Sequence, residues 1–516
     1  MQHSPSSKEI QTLIQTLIQS FHPILVIETV EEERVQGLLQ AATQAMALPM
    51  FEWSRTKGLT RSPGTFDAPW TNEYAPPGTI KPTTIGNTAE SLAVLQHIES
   101  MTLKAVFWLK DFTQNLEDPA IARQLRELAQ KFSLTRSAIV LTGNLVPLPQ
   151  DIAHDAVYVD FPLPTRDELT QSVKDIIRTF TAKYRIQVEL QPEEMKTLVH
   201  ALSGMTLKQA RQVLAYAALG DLKLTAADIK QVLHRKAQVI RNDGVLEYLP
   251  TLENTAELGG FNGLKRWLTR AEVGFSAQAR ALNLSAPKGI LIVGIQGCGK
   301  SLAAKAIARA WNMPLLKLDA GRLYNKYIGE SESNFRQAIR LAESMAPSVL
   351  WIDEIEKSFS GTQNETDGGL SQRLFGFFLT WMQEKTQEVF VVATANDISQ
   401  IPSEFLRKGR FDEVFFVDLP LKTERETILN IHLKKHRQDP DLLDLAALVD
   451  ATDGFSGAEL EQVVITGLYS ALYLEKPLDT DLLLKEISQM IPLSVSRKEH
   501  LEDLRAIAQD RFVSVH

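Results

Sequence analysis

One cysteine, Cys298, stands among the 516 residues, so no disulfide can close within the chain and the fold rests on packing. Such cysteine usage suits a reducing compartment. No apolar run approaches the ~20 residues that cross a bilayer, which excludes a transmembrane helix. The opening MQHSPSSKEI lacks the charged-then-apolar pattern of an export signal, so an intracellular protein is expected. A basic excess is missing too: 55 Lys+Arg face 63 Asp+Glu, a formal net charge of -8. That balance argues against a nucleic-acid partner, apart from a local basic channel hidden in the total. The metalloprotease pattern His-Glu-x-x-His is also absent, because His432 and His436 are separated by Leu-Lys-Lys. What remains is a chain with 44% hydrophobic and 23% charged residues, within the globular range and long enough for three or four domains at roughly 150 residues each.

The most informative segment is PKGILIVGIQGCGKSL, residues 287–302. An apolar run, Gly289 to Val293, reads as a buried strand and flows into Gly294-Ile295-Gln296-Gly297-Cys298-Gly299-Lys300-Ser301-Leu302, after which a helix-forming stretch begins. Strand, glycine loop and helix in this order form a phosphate-binding loop. The glycines let backbone N–H groups curl around phosphates, and the helix N-terminus adds its dipole. Lys300 is placed to reach the β- and γ-phosphates of ATP, and the Ser301 hydroxyl to ligate Mg²⁺. Cys298 lies inside this loop near a helix start, where thiol pKa values fall, so redox regulation competes with simple tolerance of a small residue.

Downstream, SVLWIDEIEKSF reads as a strand, Val349 to Ile352, ending in Asp353-Glu354. Asp353 suits the Mg²⁺ shell and Glu354 suits polarisation of an attacking water. A third strand, Glu388 to Ala395, ends at Asn396, whose amide suits orienting water or touching the γ-phosphate. Arg407 and Arg410 follow in a loop. They read either as salt-bridged surface residues or as arginine fingers reaching a neighbouring subunit, an effect worth ~10³–10⁵ in rate.

Taken together these residues resemble the AAA family of ATPases. GIQGCGKS is similar to its Walker A motif, WIDEIE to Walker B, ATAND to sensor 1 and SEFLRKGRFD to the region that carries two arginine fingers. DGFSGAELEQVV resembles the lid helix of the classical clade, in which small residues replace the sensor-2 arginine. The resemblance covers about residues 255–516. It implies that Gly457 and Ala458 sit near the adenine or ribose and that Leu258-Gly259 close the adenine pocket. It also implies a homo-oligomeric ring of six subunits, with Lys326, Tyr327 and Ile328 on a pore loop that grips a polypeptide, Tyr327 at a subunit interface being the alternative. The polar loop from Ser360 would form a second pore loop.

The N-terminal half reads as a worn copy of the same module. VFWLKDF echoes VLWIDEI, AIVLTGNLVPLP echoes VVATANDISQIP, VYVDFPLP echoes VFFVDLPL, and GMTLKQARQVL echoes GFSGAELEQVV, in the same order. Its chemistry is missing: TVEEERV replaces the glycine nest and Lys110 replaces the Mg²⁺-binding acid. An insertion carrying Trp70 and Tyr74 adds a long proline-rich loop. The expected fold is therefore α/β, with two tandem P-loop ATPase-type modules, each a parallel sheet plus helical lid, the first degenerate and the second intact. The expected domains are a degenerate α/β domain over 1–165, its helical lid and linker over 166–250, an ATPase large subdomain over 251–420, and a lid with C-terminal helix over 421–516. At the start, Ile10, Leu13, Ile14, Leu17 and Ile18 share one helical face, suited to a core or a subunit contact. The whole layout is similar to AAA proteins of cyanobacteria and red-lineage plastids, which implies a cyanobacterial cytoplasmic or plastid stromal ATPase tied to photosynthetic physiology.

Overall fold

The computed structural model describes residues 5–62, 85–144, 146–243, 245–249, 258–319, 328–359, 370–398, 401–407, 409–509 and 511–516. It divides into two compact units, Met1–Gln187 with Met205–Lys223, and Val188–Gly204 with Leu224–His516. Trp70 and Tyr74 lie outside the described residues.

In the first unit, five parallel strands run in the spatial order Met50–Ser54, Val106–Lys110, Ala138–Gly143, Ile24–Glu28, Ala156–Tyr158. A hairpin adds Gly58–Arg61 antiparallel at the edge. Both faces are covered, so the central strands are apolar without alternation: every residue of Ala138–Gly143 is buried. The helix Ser7–Gln19 opens with a Ser6/Glu9 capping box. Only the Ile10, Ile14, Ile18 row is fully buried, and Leu13 is 46% exposed. Leu17 packs partly against the same core, so the buried stripe is narrower than the sequence implies by Leu13 alone.

The second unit repeats the arrangement. Counted along the chain, its five parallel strands are Gly289–Gly294, Leu315–Leu318, Ser348–Ile352, Val389–Ala395 and Glu413–Val417. Their spatial order is fifth, first, fourth, third, second, the same as in the first unit. One face packs Leu291, Leu350 and Val391 under the helices Ile328–Ser344 and Leu370–Glu384. The other packs Ile292, Trp351 and Phe390 under Lys300–Ala310, with Trp311 edge-on to Phe390 at 4.6 Å.

Two segments differ from the sequence reading. The linker expected at the end of 166–250 contains a strand, Leu246–Leu249, antiparallel to Leu315–Leu318. Its buried residues alternate, which is the period of a strand. The C-terminal helix expected within 421–516 is two helices, Leu493–Ser496 and Lys498–Gln509, joined at Arg497. Val513–Ser514 then adds beside Glu413–Val417, and Val515 accepts a hydrogen bond from the Gly263 N–H at 2.8 Å.

Next to it, His516 Nδ1 lies 2.8 Å from Glu424 Oε2. The Glu424 carboxylate raises His516 above its ordinary 6.5. Burial pushes Glu424 up, but hydrogen bonds from His516 and from backbone N–H groups outweigh it and hold the carboxyl below 4.5. The His516 contribution is complete below its unfolded pKa and is lost as pH rises through the raised one. That of Glu424 is complete above its unfolded pKa and is lost as pH falls through the lowered one. The pair is therefore strongest from about pH 4.5 to 6.5. As pH rises above about 6.5 the wild type should lose the His516 contribution, so the difference in thermal stability between wild type and His516→Ala should shrink. A difference that does not shrink would assign the pH dependence to another group.

Candidate active site

The loop after Gly289–Gly294 is shaped by three glycines. A Cβ on Gly294 would run into the Val417 carbonyl of the neighbouring strand, and Gly297 and Gly299 have φ of 80° and 88°. Gly299 is the N-cap of the helix Lys300–Ala310, so the loop's N–H groups and the helix start converge. Lys300 is 6% exposed, and its Nζ donates to the carbonyls of Gly294 at 2.7 Å and Ile295 at 2.8 Å. Burial lowers its pKa to about 8, with the nearby Cys298, Glu356 and Asp353 acting against the fall. An incoming phosphate offers this ammonium a stronger, charged acceptor than two carbonyls. Cys298 departs from the helix-start expectation: burial pushes its thiol up to about 12, against the weaker pull of Lys300. Leu302, in the first turn, is 40% exposed.

At the strand ends the expected polar residues meet. Ser301 Oγ donates to Asp353 Oδ1 at 3.2 Å. Asn396 Nδ2 donates to Glu354 Oε1 at 2.8 Å. Three further residues complete the cluster and were not read from the sequence. Thr394 Oγ1 donates to Asp353 Oδ1 at 2.7 Å and accepts from the Glu354 N–H at 3.2 Å. Glu356 Oε1 accepts from the Asn396 N–H at 2.9 Å, and burial raises the Glu356 pKa. Lys317 Nζ lies 3.5 Å from Asp353 Oδ2 and 4.4 Å from the centre of the Trp351 ring. A signal for Thr394 does exist, since it is two residues before Asn396 and shares its face of the strand. Glu354 has φ 49°, a left-handed conformation that turns the chain at the strand end. Lys357 Nζ holds its other carboxylate oxygen at 2.8 Å.

Among the described residues no group of three or more His, Cys, Asp or Glu side chains could hold an ion alone. Ser301 and Asp353 offer two oxygens, which fits Mg²⁺, an ion that takes one or two protein oxygens and the rest from phosphates and water.

The lid closes on the loop from the other side. The helix Gly457–Tyr473 starts from a Ser456/Glu459 capping box. The Ala458 N–H donates to the Gly297 carbonyl at 2.9 Å, and a Cβ on Gly457 would meet that carbonyl at 3.2 Å. Small residues are thus required where the lid meets the loop. A Cβ on Gly259 would lie 3.0 Å from Ile428, and one on Gly299 would lie 3.9 Å from Leu258. Leu258 and Gly259 therefore border the loop and the lid. Arg407 is exposed, and Arg410 Nη1 donates to the Glu404 carbonyl of its own loop. Among the described residues neither arginine bonds to Ser301, Asp353, Glu354 or Asn396. Lys326 and Tyr327 lie outside the described residues, as do residues 360–369, and Ile328 begins the helix Ile328–Ser344.

In the first unit the segment after Ile24–Glu28, which occupies the same place in the strand order as the strand before the phosphate loop, carries a charge network. Arg34 donates to Glu31 at 3.1 Å, Glu168 at 3.0 Å and the Pro162 carbonyl at 2.6 Å, and lies 4.6 Å from the Phe161 ring centre. Glu31, its pKa raised by burial, accepts from the Leu207 N–H at 2.9 Å. Leu207 opens the helix that echoes Gly457–Tyr473, so a carboxylate caps that helix. Lys110 lies 3.3 Å from Glu52 and 3.9 Å from the Trp108 ring centre. The register is the same as in the second unit, with Glu52 opposite Trp108 and Lys317 opposite Trp351. Acid and base have exchanged strands.

Thr394→Val keeps shape and removes both hydrogen bonds, leaving the Glu354 N–H short of an acceptor. Turnover of ATP should fall about 10-fold, equivalent to about 1.4 kcal/mol, while nucleotide affinity is kept. Steady-state phosphate release beside a binding titration checks this, and equal loss of affinity and turnover would contradict it.

Residues 290–419 match the family model of the ATPase family associated with various cellular activities (AAA). Residues 10–161 match the N-terminal domain model of SpoVK-like AAA ATPases, and residues 167–243 the second-domain model. The AAA domain-containing protein ycf46 of Pyropia yezoensis is 36% identical over 504 residues, covering 96% of this chain and 97% of the relative. That of Trieres chinensis is 35% identical over 480 residues, covering 93% and 92%. A proteasome-activating nucleotidase of Aeropyrum pernix is 37% identical over 203 residues, covering 37% of this chain and 48% of the relative. With the phosphate loop, the paired acids and the lid all in one unit, the chain belongs to the AAA family of ATPases, whose members hydrolyse ATP.

Proposed function

We propose that the protein is an oligomeric ring ATPase, of six subunits, that remodels a polypeptide or protein complex. The observation that carries this reading is the continuous polar network from Ser301 through Asp353 and Thr394 to Glu354 and Asn396, next to the phosphate loop. Bound Mg²⁺ would neutralise phosphate charge, held on the protein side by Ser301 and Asp353. Lys300 binds the β- and γ-phosphates. Glu354, steered by Asn396, aligns the attacking water and accepts its proton. Arg407 and Arg410 act on the neighbouring subunit's nucleotide, which agrees with Arg407 being exposed and with neither arginine touching the cluster of its own chain. A head-to-tail contact of this kind closes into a ring. Lys326, Tyr327 and Ile328 form the pore loop, and the polypeptide is their target. Leu258, Gly259, Gly457 and Ala458 enclose the adenine and ribose. A proteasome-activating nucleotidase among the relatives supports work on proteins.

The first unit is, in this reading, a degenerate ATPase module that holds no nucleotide. The shared strand order supports the kinship, and the Arg34–Glu31 network supports the loss of the site. The division into domains at 1–165, 166–250, 251–420 and 421–516 is part of the same proposal. Relatives from red-lineage algae support a place in a plastid stroma or a cyanobacterial cytoplasm, and a tie to photosynthetic physiology. A second reading is a nucleotide-gated assembly scaffold with slow hydrolysis, favoured by the Arg34–Glu31 charge network of the first unit.

Glu354→Gln should lower turnover at least about 100-fold and keep ATP binding. Near-wild-type hydrolysis would remove its assigned role. Light scattering should show the wild type assembling to six chains with ATP, and Arg410→Ala should assemble but lose turnover about 1000-fold. Turnover that is independent of Arg410 in a monomer would overturn the ring. Calorimetry should find a single nucleotide per chain, abolished by Lys300→Ala, and two per chain would refute the loss of the first site. Tyr327→Ala should abolish work on a protein client while sparing assembly and hydrolysis, whereas the scaffold reading expects no effect.

A further inference from the structure

A small cleft beside the phosphate loop has a wall that none of the nucleotide motifs supplies. It is lined by Gln296, Asn396, Arg497 and His500 together with Leu501 and Leu504. The described residues lining it carry no carboxylate. Its polar groups are two amides, a guanidinium and an imidazole, a set that donates to an anion. Gln296 belongs to the phosphate loop and Asn396 follows the strand that carries Thr394, so the cleft borders both the loop and that strand end.

Arg497 is held for such a task. It is the joint between Leu493–Ser496 and Lys498–Gln509. Its N–H donates to the Leu493 carbonyl at 2.9 Å, and its carbonyl accepts from the Leu501 N–H at 3.1 Å. The Leu493 N–H in turn donates to Glu459 of the lid capping box at 2.7 Å, and Arg505 grips Asp418 with contacts of 2.8 Å. Its backbone is therefore fixed, while its side chain is exposed and forms no ion pair among the described residues. A guanidinium without an ion pair among the described residues, on a fixed joint and in a cleft shared with Gln296 of the phosphate loop, suits a bidentate phosphate contact.

We propose that Arg497 binds the terminal phosphate of a nucleoside triphosphate in its own subunit, with His500 as a second donor. The segment that carries it is tied to the lid through Glu459 and to the sheet through Asp418, so this contact discriminates triphosphate from diphosphate within one chain. The proposal rests on the ATP site alone and is independent of ring formation or remodelling.

The test is displacement of a fluorescent nucleotide by ATPγS and by ADP, at chain concentrations where light scattering gives a monomer. Wild type, Arg497→Gln and Arg497→Lys are compared. Arg497→Gln should weaken ATPγS about 10-fold, about 1.4 kcal/mol, and change ADP less than about 2-fold. Arg497→Lys should recover part of the ATPγS affinity, because the charge is kept but the fork is lost. Equal loss for both nucleotides would mean that the residue supports the loop rather than the third phosphate. No loss for either would make it a solvated surface arginine, and a loss confined to the oligomer would place the contact in trans. Each of these results overturns the proposal, and none bears on the polypeptide client.

Discussion

The second unit depends on how closely the Gly294 backbone approaches Val417. The Ile295 N–H donates to the Val417 carbonyl at 3.0 Å, and any side chain at 294 would strike that carbonyl. The loop therefore leaves the sheet at one angle. That angle sets where Gly297 meets Ala458, where Lys300 turns back, and where Ser301 finds Asp353. Preorganisation of this kind lets the polar groups act without rearranging when charge develops on a phosphate.

Local sequence carried much of the architecture. The strand at 289–294, the glycine loop and the helix after it are contiguous, so their pattern is legible in a short window. The same holds for the acidic pair at 353–354 and for Asn396 at a strand end. The strand order repeated between the two halves agrees with the echoes in sequence. Less legible was whatever depends on a distant partner. Lys317 looks like an ordinary strand residue until the neighbouring strand sets it beside Trp351 and Asp353. Arg497 falls inside what the sequence offers as a single C-terminal helix, and only its dihedrals break it. Cys298 misleads because proximity to a helix start favours the thiolate while burial opposes it, and burial is the larger effect.

The two units place an acid and a base differently at matching strand ends. Glu52 with Lys110 and Lys317 with Asp353 place one acid and one base on the same two neighbouring strands, each lysine over a tryptophan. Electrical balance at the strand ends is kept in both units, but only the second leaves an acid facing Ser301. In the first, Arg34 pairs with Glu31, and Glu31 accepts from the Leu207 N–H.

The burial of Cys298 has a practical side. With a pKa of about 12 and a place in the core, the thiol is not ionised near neutral pH, and it is the only cysteine in the chain. Maleimide probes directed at an added surface cysteine would discriminate strongly against it. Distance measurements between spin or dye labels can thus be made on the natural background, without first replacing a residue that lines the phosphate loop.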